Sequence, residues 1–225
     1  MGRESLLPGR VVLLTGEGQL AAAMARSLRS HGARVALAAP EGELARLAEP
    51  PELPDLSVPW GRYDLAEPGR AVDAVIDRFG RLDHVVSVIG ARPHRGPLIE
   101  LDPLALRGVL DRALVLPLAS AQRAYWRWMA AHGGSVVHVV VPEAGLGGPQ
   151  DAALSGLTGL TEWLAAELAP RVDVHTVVPS LSLTPADYQA MLVDLLGDLL
   201  TRRTNPAHGP VLVLNEECPC PQRAA

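Results

Sequence analysis

Residues 11–21 read Val11-Val12-Leu13-Leu14-Thr15-Gly16-Glu17-Gly18-Gln19-Leu20-Ala21. The apolar run that opens this stretch is the pattern of a strand buried on both faces. Glycines at alternate positions then turn the chain into a helix rich in Ala and Leu, over about 19–31, which Gly32 ends. The turn fits G-x-G-x-x-A, a form of the dinucleotide fingerprint in which backbone N–H groups and the helix dipole meet a pyrophosphate. Gly16, Gly18 and Ala21 are therefore candidate cofactor residues. The same glycines can also serve only to pack helix closely on strand.

Two features weigh against a nucleotide. Glu17 puts a carboxylate beside the phosphate position. The acid that should hold the ribose hydroxyls belongs at the end of the second strand, about 20 residues on. Ala39 and Pro40 stand there, with Glu41 just beyond. NAD or NADP binding is thus an open expectation, and NAD is preferred because no Arg or Lys follows that strand.

Outward from this turn, short β-branched runs alternate with helical stretches. Strands are expected at 11–15, 35–38, 56–58, 84–88, 135–141, 172–178 and 210–214. Helices are expected at 19–31, 41–48, 68–79, 103–131 (bent at Pro117), 152–169 and 185–200. Apolar strands alternating with helices predict an α/β domain with one doubly wound parallel sheet of about seven strands, helices covering both faces. The domain is expected over 1–216, with 217–225 a flexible tail rich in Pro, Gln and Ala.

Composition narrows the function classes. Of 225 residues, 48% are hydrophobic, and the net charge is -5, which gives no support to nucleic-acid binding. No apolar run approaches the roughly 20 residues that span a bilayer, and residues 1–10 lack a signal-peptide core, so a cytoplasmic protein is expected. Cys218 and Cys220 are too close to staple a domain, and two thiols make a poor metal site; no metal is expected. All 20 basic side chains are arginine, and lysine is absent.

Several further stretches stand in order at suitable spacing: Gly32-Ala33-Arg34-Val35, Asp64-Leu65, Phe79-Gly80-Arg81-Leu82-Asp83, Gly133-Gly134-Ser135-Val136-Val137, Leu157-Thr158-Gly159-Leu160-Thr161 and Gly209-Pro210-Val211-Leu212. With the glycine turn, they resemble the short-chain dehydrogenase/reductase family over nearly the whole chain. The resemblance implies a Rossmann-type sheet, with Asp64 at an adenine amino group and Gly90 beside the nucleotide. It also implies an Asn-Ser-Tyr-Lys catalytic set, and those positions depart from the pattern. The asparagine aligns with Ala113, the serine with Val140 or Val141, the tyrosine with Gln150 and the lysine with Leu154. A shorter loop can slip this register by a few residues, but the tyrosines are only Tyr63, Tyr125 and Tyr188. In the family the tyrosine hydroxyl transfers the proton and the lysine lowers its pKa. Ala, Val and Leu offer no donor or charge, and an amide cannot give up a proton.

Other residues border the same mouth. His138 in the fifth strand either faces the cleft and titrates near neutrality or is a satisfied strand histidine. Arg92, His94 and Arg95 can hold an anionic ligand or simply be solvated; Glu143 and Gln150 border the same mouth, where a solvent role is equally plausible. Tyr125, Trp126, Trp128 and Trp163 lie on the two helices through which, in the resembling family, subunits pack. Tyr125 and Trp128 share a face, Trp126 points elsewhere, and Trp163 lies beside a stripe of Leu157, Leu160, Leu164 and Leu168. These residues are candidate interface, with core packing as the other use.

Three functions fit this sequence. The first is a non-catalytic subunit assembled, as hetero-oligomer or homo-oligomer, through those helices with an active short-chain dehydrogenase. The second is a diverged oxidoreductase, lyase or cyclase using His138, His94 or Glu143. The third is a regulator that senses NAD(P) without chemistry.

Overall fold

The computed structural model describes residues 6–16, 18–46, 54–61, 64, 66–90, 96–141, 148–180, 185–201 and 209–214. Its strands are β1 (Val11–Thr15), β2 (Arg34–Ala39), β3 (Leu56–Pro59), β4 (His84–Ile89), β5 (Gly134–Val140), β6 (Val172–Pro179) and β7 (Val211–Leu214). They form one parallel sheet in the order β3-β2-β1-β4-β5-β6-β7. The order reverses between β1 and β4, so a crevice opens at their carboxyl ends, where this architecture places ligands. The expected seven-stranded, doubly wound sheet is the one observed.

Alternation along the central strands divides the core. Val12, Leu14, Val86, Val137 and Val139 face α1 (Gly18–Ser30) and α8 (Pro185–Leu200). Val11, Leu13, Val85 and Val136 face α3 (Glu67–Phe79), α5 (Leu116–Ala124) and α7 (Pro149–Leu168). Each such side chain, fully buried, contributes roughly 1.5–3 kcal/mol. At the amino end of the sheet the buried carboxylate of Asp83 accepts from Arg10 Nη1 at 2.9 Å, the Val11 N–H at 2.8 Å, and Arg81 Nε at 2.9 Å. Burial alone would raise the Asp83 pKa, but Arg81, the Val11 amide and Arg10 outweigh it and hold it below the usual carboxylate range.

The long helix expected at 103–131 departs from its simple description. α4 (Pro103–Leu110), α5 and α6 (Ala130–His132) run on without a break, joined by π-turns at Asp111–Val115 and Tyr125–Met129. Pro117 does not interrupt this run: it lies in the first turn of α5, directly after a π-turn. A proline ring clashes with the carbonyl four residues back, and a widened turn relieves that contact. α2 is described over Glu41–Arg46, and residues 47 and 48 of the expected helix lie outside the described residues. Among the described residues no helix is long and apolar enough to cross a membrane.

Candidate active site

The glycine turn is built as its sequence requires. Gly16 has φ +134°, and a Cβ placed on it would lie 2.7 Å from both Cβ and carbonyl oxygen of Val88 in β4. Only glycine fits between these strands. Gly18 has φ +88° with open space around it, a backbone state other residues seldom adopt. Ala21 is 1% exposed and packs into the core, so its contribution is close helix–sheet contact.

What meets the turn is a carboxylate of the chain itself. The Gly18 N–H donates to Glu43 Oε1 at 2.9 Å. Glu43 lies in α2, two residues beyond the acid considered from the sequence. A carboxylate at a helix amino terminus is favourable for the reason a phosphate is: it satisfies an orphan N–H and complements the dipole. As folded, then, the turn does not fit a dinucleotide pyrophosphate unless Glu43 gives way. Glu17 lies outside the described residues.

Asp64, expected at an adenine amino group, is engaged elsewhere. Its carboxylate accepts from the Ala66 N–H at 2.9 Å and pairs with Arg70, and these partners hold its pKa below the ordinary value. It is held beside the start of α3 and lines neither cavity described below.

Two small cavities adjoin at the carboxyl ends of β4 and β5. One, about 70 Å³, is walled by Thr15, Gly16, Trp60, Ser87, Gly90 and Arg112, among others. The second, about 30 Å³, is walled by Ala113, Val140, Gln150 and Leu154, with Ile89, Leu157 and neighbours. The four positions assigned by resemblance to catalytic groups thus converge on one apolar space, although they come from a helix, a strand and a second helix far apart in sequence. Of the two serine candidates, Val140 faces this cavity. Val141 packs toward the opposite core, and its N–H donates to Ile89 O at 3.0 Å. Gln150 is buried at 4% exposure. Gly90 borders both cavities.

His138 does not reach solvent. It is 0% exposed, and among the described residues neither ring nitrogen has a hydrogen-bond partner. It follows neither earlier reading: it is not cleft-facing and not satisfied. Burial lowers its pKa to about 4, so it is neutral at physiological pH. In register it sits between Ser87 of β4 and Thr176 of β6, and Ser87 pairs on its other side with Thr15 of β1. This buried polar row crosses the floor beneath the cavities; Thr176 Oγ1 meets Thr161 Oγ1 of α7 at 2.6 Å. Sequence reading missed the row because each member is an isolated polar residue in an apolar strand.

Of the two described tyrosines, Tyr188, in α8, is the one at the end of β5. It is 0% exposed, and its hydroxyl donates to the Val140 carbonyl at 2.8 Å from the opposite side of the sheet. Burial pushes its pKa further up, so it anchors β5 rather than exchanging protons. Arg92, His94, Arg95, Glu143 and Tyr63 lie outside the described residues.

The helix surface also needs correction. Leu157 (1% exposed) is core beside the smaller cavity, Leu164 (9%) is core under α3 and α5, and Leu160 packs half-buried against the latter. This stripe covers the sheet, because a helix on a sheet must bury its most apolar face there. Tyr125 and Trp128 likewise pack half-buried against the core. Trp126 and Trp163, each 77% exposed, point outward from helices covering one side of the sheet.

A family model described as enoyl-(acyl carrier protein) reductase matches residues 17–203. The chain belongs to the short-chain dehydrogenase/reductase family. Among members of that family, it is 31% identical over 190 residues to a cis-4-hydroxycyclohexanecarboxylate dehydrogenase of Sinomonas cyclohexanicum, covering 78% of this chain and 74% of that protein. It is 29% identical over 198 residues to a D-threitol dehydrogenase of Mycolicibacterium smegmatis, covering 82% and 74%. A solved short-chain dehydrogenase of Mycobacterium smegmatis superposes with a TM-score of 0.82 at 20% identity, covering 97% of each chain.

Proposed function

We propose that this short-chain dehydrogenase/reductase family member has lost the family's proton transfer and acts as a non-catalytic subunit supporting an active dehydrogenase of the same fold. One observation carries the reading. Where proton donors are expected, the cavity wall is Ala113, Val140, Gln150 and Leu154, none of which titrates. Among the described residues, the imidazole beneath these walls, His138, is sealed in the floor and neutral. The seven-stranded sheet of the family is retained.

Trp126 and Trp163 support association through the side covered by α5 and α7. Large exposed indoles are costly to leave in water and are the residue type that dominates interface energetics. The purified chain is expected to turn over no alcohol or ketone with NAD(H) or NADP(H). Co-expressed with an active homologue of its own source, it should co-purify at fixed stoichiometry. The double variant Trp126→Ala/Trp163→Ala should weaken that association at least tenfold in analytical ultracentrifugation. Turnover by the chain alone ends this reading, and so does a partner complex indifferent to both tryptophans.

A further inference from the structure

Among the described residues, the two adjoining cavities hold one charge between them. Arg112, in the π-turn Asp111–Val115, lines both, and no other described charged residue lines either. It is half-buried. Among the described residues its guanidinium has no hydrogen bond or ion pair, although its neighbour on the same helix, Arg107, sits 3.7 Å from Asp111. A cation withdrawn from water against apolar walls is unfavourable until an anion compensates it.

A second group points to the same place. Ser87, 2% exposed, borders the larger cavity, and its hydroxyl has no partner among the described residues. Buried hydroxyls are seldom left unsatisfied, and an orphan at a cavity wall marks where a ligand or water atom belongs. A planar guanidinium and a hydroxyl donor together suit a carboxylate.

The remaining walls define the rest of the ligand. Ile89, Val109, Ala153 and Leu157 line the smaller cavity and offer only hydrocarbon. At about 70 and 30 Å³ the spaces exceed the roughly 10–15 Å³ that admits one water, and fall far short of the roughly 300–1,000 Å³ of drug-sized sites. We propose that Arg112 and Ser87 bind the carboxylate of a short-chain organic acid, its alkyl end entering the apolar cavity beside Ala113 and Val140. The π-turn is what aims Arg112 there, since the extra residue rotates its side chain away from the position a regular helix would give it. The site needs neither a nucleotide nor a partner subunit, so its failure would leave the proposed function untouched.

Sodium acetate, propionate, butyrate and hexanoate, titrated at constant ionic strength against the whole chain, test this by thermal shift and calorimetry. Butyramide and inorganic phosphate serve as probes of shape alone and of charge alone. Saturable binding with an optimum at three or four carbons is expected, with no response to butyramide. Arg112→Gln should weaken it at least tenfold, Arg112→Lys less, and Arg107→Gln not at all. The unliganded melting temperature of each variant separates loss of binding from loss of folding. Equal binding of butyramide overturns the site, as does phosphate binding without any chain-length preference, or alkanoate binding untouched in Arg112→Gln.

Discussion

His138→Val is expected to flatten the acid side of the protein's stability profile. In the folded chain burial lowers the imidazole pKa to about 4, against an ordinary value near 6.5. Between those values the unfolded chain binds a proton that the folded chain refuses, so stability falls as pH falls through 6.5 and levels off near 4. At about 1.36 kcal/mol per pKa unit, the whole loss is roughly 3 kcal/mol, of which about 2 kcal/mol is reached by pH 5. His175, also held below its ordinary pKa by burial although Asp173 opposes the shift, adds a smaller loss of the same sign. Urea midpoints at pH 7.5 and pH 5 measure the difference directly. The valine variant leaves some empty volume but removes two unpaired nitrogens, so its stability at pH 7.5 reports both effects. Only the change with pH isolates the titration. Parallel declines in the two proteins would show that His138 protonates without resistance and that its burial is relieved in solution.

Glu43→Gln should tighten NAD binding about thirtyfold. The carboxylate that accepts from the Gly18 N–H holds the position a pyrophosphate needs, and it repels phosphate as well. A charge-assisted hydrogen bond contributes roughly 1.5–3 kcal/mol, and at this exposed position the lower part of that range applies. Glutamine keeps the side-chain length and an acceptor but drops the charge, so a gain of about 2 kcal/mol is expected in calorimetry. The direction of change is decisive. Weaker binding in the variant would mean that Glu43 holds the ribose hydroxyls, the task its family resemblance assigns to an acid near this strand end. Absence of heat in both proteins would remove nucleotide from the account altogether. Either result bears on the regulator reading too, because a sensor needs the turn to open.

The sheet was legible because its central strands, β1, β4 and β5, are buried on both faces and therefore mostly apolar, with only isolated polar residues. The helix 185–200 was legible to the residue, bounded by Pro185 and a sustained apolar period. The convergence of Ala113, Val140, Gln150 and Leu154 also followed from alignment with known spacing. What stayed hidden depended on contacts between distant segments. Glu43 meets Gly18 across 25 positions, and nothing in Glu41-Gly42-Glu43 distinguishes a capping acid from a solvated one. The leucine stripe of α7 carries the same letters whether it faces a sheet or another subunit; only Leu157 at 1% exposure decides. The π-turns have no residue signature, so a constant 3.6-residue period misplaces every side chain beyond Asp111, Arg112 included.

The two outer strands, β3 and β7, are each four residues long, and β3 ends at Pro59, which has no amide hydrogen to donate. Such borders give little purchase for a second chain to extend the sheet by strand addition. At the β3 border, open-ended fibrous stacking by edge-to-edge growth is disfavoured by the way the sheet is trimmed.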